Sequence, residues 1–120
     1  MARGDDIEER LIDFAVRVIK VEGSLPKTVV GKHIGSQMLR SGTSPAANYA
    51  EARGAESKRD FVHKLKITLK ELNETRIWLQ IIVRSELLPP DRLVDLLDEN
   101  DQLCRIISAS IQTARRELDT

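Results

Sequence analysis

From Phe61 to Ile82 one row of apolar and small side chains recurs at Phe61, Leu65, Thr68, Leu72, Thr75, Leu79 and Ile82, in steps of 4, 3, 4, 3, 4 and 3. A strand would alternate with period two. Steps of three and four keep one face of an α-helix under a single row of side chains. A row this long must be covered by other helices or left wet, which makes the chain a helical bundle before anything else is known.

Three further segments follow the same rule. Ile7, Leu11, Phe14, Val18 and Val21 form a first stripe, opened after Asp5 or Asp6 with Glu8 and Glu9 in its first turn. Negative charge suits the amino end of a helix dipole. "EGSLP" closes this segment, with Gly23 at the stop position. A fourth stripe runs through Leu93, Leu97, Asn100, Cys104, Ile107, Ile111, Ala114 and Leu118, after "LLPPD" has ended the third. Pro89 and Pro90 cannot continue a helix, but Pro90 can start the next. Ser57, three residues before Asp60, reads as the capping start of segment three. The expectation is an all-α, up-down antiparallel four-helix bundle over one domain, residues 1–120.

Segment two, from about Lys27 to Arg53, is the odd member. Val29, Val30, Ile34, Met38 and Leu39 serve its first half, and then "RSGTSPAANYAEA" brings a run of small residues. Small side chains let backbones approach, and a neighbour must supply the missing bulk. Trp78 and Phe61 are the expected donors of that bulk, with Ala47 and Ala50 facing a neighbouring helix. Pro45 removes a backbone donor. The helix either stops at Gly42 and restarts with Ser44 as N-cap, or runs through kinked, with Ser41 or Ser44 covering the freed carbonyl. The second course is preferred, because two short pieces would each be marginal. Ser44, Pro45, Asn48 and Glu51 are then the structural residues of the kink.

"LPKTVVGKHIGSQMLRSGTSPAANYAEARGAESKRDFVHKLKITLKELNETRIWL", Leu25 to Leu79, resembles the bacterial four-helix-bundle family of 23S rRNA intervening-sequence proteins. That family is similar in turn to the accessory variability protein of diversity-generating retroelements. Its hallmark looks like Ser-x-Pro-Ala-Asn-x-x-Glu followed by Gly or Ala. Here Thr43, Pro45, Ala46, Ala47, Asn48, Glu51 and Ala52 stand around it, with Ser44 directly before Pro45 and two alanines between Pro45 and Asn48. The resemblance implies a kinked second helix, a cytoplasmic bacterial protein, a ring-like homopentamer and a role in binding nucleic acid.

Formal charge sums to zero, but unevenly: −2 over residues 1–25, +6 over 26–70 and −4 over 71–120. The basic middle carries the candidate site. Arg59, His63, Lys66 and Lys70 step 4, 3 and 4 along segment three, far round the helix from Leu65 and Leu72. Lys58 and Lys64 flank them, and Lys27, Lys32, Arg40 and Arg53 add charge from segment two. A face of one sign can gather phosphates. With one Trp, one Tyr and two Phe, the chain has no platform for stacking bases, so binding to RNA or DNA is expected through the backbone with little sequence preference.

The other chemistry is bland. His33 and His63 lack metal-ligand spacing and read as surface histidines. The single cysteine, Cys104, falls on an apolar stripe and excludes an internal disulfide. "GKHIGS" follows no strand and is no phosphate loop. No nucleophile–base pair stands out, and neither an enzyme activity nor a cofactor is expected. No run approaches about 18 apolar residues, so no membrane span is expected. Ile67, Trp78 and Ile81 on segment three, and Leu96, Leu103 and Ser110 on segment four, fall off the main stripes and are expected to be exposed, which argues for a homo-oligomer. The rival to nucleic-acid binding is an oligomeric scaffold or adaptor that docks an acidic partner protein.

Overall fold

The computed structural model describes residues 3–119, with side chains for 4–118. Its elements are α1 (Arg3–Ser24), α2 (Val29–Arg53), α3 (Lys58–Arg84), a single 3-10 turn (Pro90–Arg92) and α4 (Val94–Asp119). The helices pack as α1 on α2, α2 on α3 and α3 on α4, and α4 closes more lightly on α1. α1 and α3 therefore sit on one diagonal, α2 and α4 on the other. The result is an up-down four-helix bundle of 51 × 24 × 23 Å.

Local chemistry sets the ends. Thr28 caps α2, its hydroxyl accepting from Gly31 N at 3.1 Å, and Ser57 caps α3 by accepting from Asp60 N at 3.1 Å. α3 ends in a Schellman turn: Leu87 N bonds to Ile82 O and Glu86 N to Val83 O, with Glu86 at φ 59°. α1 begins at Arg3, ahead of the acidic pair read as its start, and Gly23 lies inside its last turn. Leu25 and Pro26 end it instead. Pro90 opens the 3-10 turn as its first residue.

The α3 stripe is the spine of the core. Leu65, Thr68, Leu72, Thr75, Leu79 and Ile82 are all fully buried; Val62 is buried where Phe61 is half-buried. Leu11, Phe14 and Val18 of α1 join the same buried core. On α4 the buried set is wider than the expected stripe. Leu96 and Leu103, expected to be exposed, are buried, and Ser110 is half-buried, while Leu118 is exposed. α4 packs on both α3 and α1, so two adjacent columns of its side chains face inward.

α2 runs unbroken through Pro45, whose ring is buried. Hydroxyls and an amide bond carbonyls on either side of it. Ser41 Oγ donates to Met38 O at 3.3 Å, Thr43 Oγ1 to Leu39 O at 2.7 Å, and Asn48 Nδ2 to Ser44 O at 3.1 Å. Ser44 Oγ also accepts from Asn48, at 2.9 Å.

The bulk opposite the small residues comes from a different helix than expected. A Cβ on Gly42 would lie 2.7 and 2.8 Å from the two methyls of Val18, so α1 presses directly on the α2 backbone there. Gly35 receives Glu22 and Leu25 of the same helix end. Toward α3, the Thr75 hydroxyl bonds Ser41 Oγ at 2.8 Å. Trp78 instead meets His33 edge to face, with centroids 6.1 Å apart, and donates to Glu74. Phe61 lies under Lys58 near the end of the bundle. Ala47 and Ala50 are exposed and face no helix of this chain.

Candidate nucleic-acid interface

The helical pitch places Arg59, His63, Lys66 and Lys70 together on the outer face of α3, and all four are exposed. None of Arg59, Lys66 and Lys70 is in an ion pair among the described residues. Lys32 on α2 is also exposed without such a pair, but it stands near the far end of the bundle from Arg59.

The other predicted cations turn toward carboxylates. Arg40 bonds Glu71 at 3.0 Å and also Glu74, clamping α2 to α3. Arg53 reaches Asp5 at 2.7 Å and Glu8 at 3.3 Å on α1. The hydrogen bond that Arg53 donates to Asp5 is the main reason its guanidinium holds its proton above the ordinary range, with the charges of Asp5 and Glu8 adding to it. Lys64 pairs with Glu51 of α2 at 3.1 Å, and Lys58 pairs with Glu117 of α4. Exposed pairs of this kind add little to stability, so their main effect here is local neutralisation. Of the eight candidate cations, the structure leaves Arg59, Lys66, Lys70 and Lys32 open. Lys27 is exposed in the α1–α2 connection.

Charge that the sequence reading passed over arrives from α4. Arg115 lines one shallow depression with Arg59 and Lys66, over a floor of Val62 and Leu118. Arg115 is exposed and in no ion pair among the described residues. Its segment carries net negative charge, which hid it. Only the antiparallel packing of α4 on α3 brings it beside Arg59.

A pocket of about 290 Å³ opens between the start of α1 and the end of α4, where Ile7, Tyr49, Phe61 and Ala114 make an apolar lining beside Lys58 and Glu117. It gathers no catalytic set. Cys104 is buried, and loss of solvent raises its thiol pKa; nearby Asp101 adds to the rise and Arg76 opposes it. Among the described residues no group of three or more His, Cys, Asp and Glu side chains is placed to hold a metal, and no helix is long and apolar enough to cross a membrane.

A search of curated proteins finds no match. Among solved structures, the chain is similar to a protein of unknown function from the S23 ribosomal protein family of Bacteroides thetaiotaomicron. The two share 30% identity at a TM-score of 0.80, over 92% of this chain and 99% of that one. The model of the 23S rRNA-intervening sequence protein family matches residues 5–109. The bundle, its Pro45-containing second helix and this match lead to one assignment: the chain belongs to the 23S rRNA-intervening sequence protein family.

Proposed function

We propose that this protein is a non-catalytic, homo-oligomeric bundle that binds structured RNA or duplex nucleic acid through the outer face of α3, with little sequence specificity. One observation carries the reading. Arg59, Lys66 and Lys70 stay exposed and unpaired among the described residues, while Arg40, Arg53, Lys58 and Lys64 are each matched to a carboxylate. A row of unmatched cations on a chain of zero formal charge is the footprint of an anionic partner. The family's name makes structured RNA the first probe.

Assembly is supported by α1. Ile12, Val16 and Ile19, in steps of 4 and 3, are 41, 43 and 49% exposed on its outer face. Together they form a stripe that a second copy would cover. A pentamer is the stoichiometry that the family resemblance suggests. Light scattering should give a multiple of the 13.6 kDa chain, and Val16→Glu should reduce it. A wild-type monomer at micromolar concentration would remove assembly from the reading.

Fluorescence anisotropy with a structured RNA and a DNA duplex, across a salt series, tests the binding. Affinity should fall steeply with salt, and Lys66→Glu with Lys70→Glu should weaken both probes about equally, because no base is read. No binding at low salt would refute nucleic-acid binding. Capture of one acidic protein without any response to RNA would establish the adaptor instead.

A further inference from the structure

We propose that the seam between α3 and α4, rather than the outer face of α3 alone, is the track along which a phosphodiester backbone lies. This rests on the nucleic-acid reading and assigns it residues of α4.

Two depressions follow one another on this seam. The first is rimmed by Arg59 and Lys66 of α3 and Arg115 of α4. The second is rimmed by Asn73 of α3 and by Arg105, Ser108 and Gln112 of α4, over Leu69 and Cys104. Lys66 and Leu69 are three residues apart on one helix, so the two hollows are consecutive. From Arg59 to Asn73 the helix rises about 21 Å at ~1.5 Å per residue. That matches about six steps of ~3.4 Å along a duplex axis.

The first hollow supplies the unmatched cations, and the second adds amide and hydroxyl donors beside the paired Arg105. Together they offer guanidinium, ammonium, amide and hydroxyl groups, the side chains that contact phosphate oxygens. Arginine adds a planar fork that can bind two oxygens at once. Arg105 is itself paired with Asp101 at 2.9 Å and Lys58 with Glu117, so the open cations of the seam are Arg59, Lys66 and Arg115. No aromatic side chain lines either hollow, so nothing there would stack a base. The seam lies on the side of the bundle opposite the packing of α1 on α2, and α1, which carries the outer apolar stripe, is on the diagonal from α3. Assembly through α1 would therefore leave the seam open.

The test compares Arg115→Glu on the seam with Lys20→Glu, which makes the same charge change at an exposed position of α1. Circular dichroism first checks that both variants keep the wild-type helix content. Anisotropy then uses a hairpin RNA and a DNA duplex between about 50 and 200 mM salt. Arg115→Glu should weaken both probes by about tenfold and flatten the log–log salt slope by about one unit, as loss of one phosphate contact does. Lys20→Glu should change affinity less than twofold. A DNA duplex with uncharged methylphosphonate linkages should not compete. If the wild type binds and Lys66→Glu with Lys70→Glu weakens it, but Arg115→Glu behaves like Lys20→Glu, the seam is wrong and the α3 face stands. If RNA alone responds to Arg115→Glu, a shared phosphodiester track is also wrong. If the wild type binds neither probe, both readings fall together.

Discussion

Gly42 offers the sharpest test of how α1 and α2 fit. An added Cβ would lie 2.7, 2.8 and 3.1 Å from Val18 Cγ1, Cγ2 and Cβ. These are branched methyls on a side chain that is stiff about χ1, and rotating one away swings the other in. Val18 is fully buried, so it has no free space to yield into. Overpacking a close-packed core costs about 1–3 kcal/mol, and contacts this short put Gly42→Ala in the upper half of that range. Against it stands the helix propensity gained on replacing Gly by Ala, about 1 kcal/mol. The net expectation is a loss of about 1–2 kcal/mol. For a chain of this size that lowers the melting temperature by about 4–8 °C. The decisive quantity is the difference between backgrounds. In Val18→Ala the methyls are gone, and Gly42→Ala should then stabilise by up to about 1 kcal/mol. Urea unfolding of the four proteins at one concentration gives a coupling energy of about 2–3 kcal/mol if the reasoning holds. If Gly42→Ala is equally favourable in both backgrounds, α1 does not press on α2 at this point.

Three further outcomes can be measured in the same way. Asn100 is fully buried and its Nδ2 has no hydrogen-bond partner among the described residues, so Asn100→Leu should raise stability by about 1–2 kcal/mol in urea unfolding. Glu86 closes α3 with a left-handed backbone at φ 59°, and Glu86→Gly should gain about 1 kcal/mol; an unchanged melting temperature would count against strain there. Cys104 is buried with its thiol pKa raised, so its reactive thiolate is scarcer than in the unfolded chain at every pH near neutral. A thiol reagent should label it slowly in the native protein and at once in denaturant, and rapid native labelling would contradict the burial.

Much of this architecture was legible because large side chains recur at fixed steps. In α3 most inward positions are filled by a residue that differs from its outward neighbours in size or polarity, Ile82 beside the exposed Ile81 being an exception, and Phe61 gave way to Val62. α4 was less legible because a helix between two partners buries a broad arc, and a single-stripe reading leaves out Leu96 and Leu103. Small residues carry no signal of direction. Gly42 and Ala47 look alike in the sequence, yet one touches Val18 and the other faces outward. The sign of the candidate site was legible, but its extent was not. Charge is local information, whereas pairing is tertiary: Arg40 meets Glu71 and Glu74 more than thirty residues on, and Arg115 shares one depression with Arg59 of the neighbouring helix.

The light closure between α4 and α1 bears on how the bundle assembles in time. α1 to α2 and α2 to α3 are joined by residues 25–28 and 54–57, and every strong packing interface is between neighbours in sequence. Such a topology places little entropy cost before its first contacts, which favours rapid collapse of successive hairpins. α1 against α4 is the exception, since it joins the two ends of the chain. There Arg10 holds Glu99 with bonds of 2.7 and 3.0 Å across 89 positions. That contact should form last on folding and part first on opening. Amides on the outer turns of α1 and α4 should then exchange hydrogen ahead of those in α3, whose residues face a neighbour on two sides.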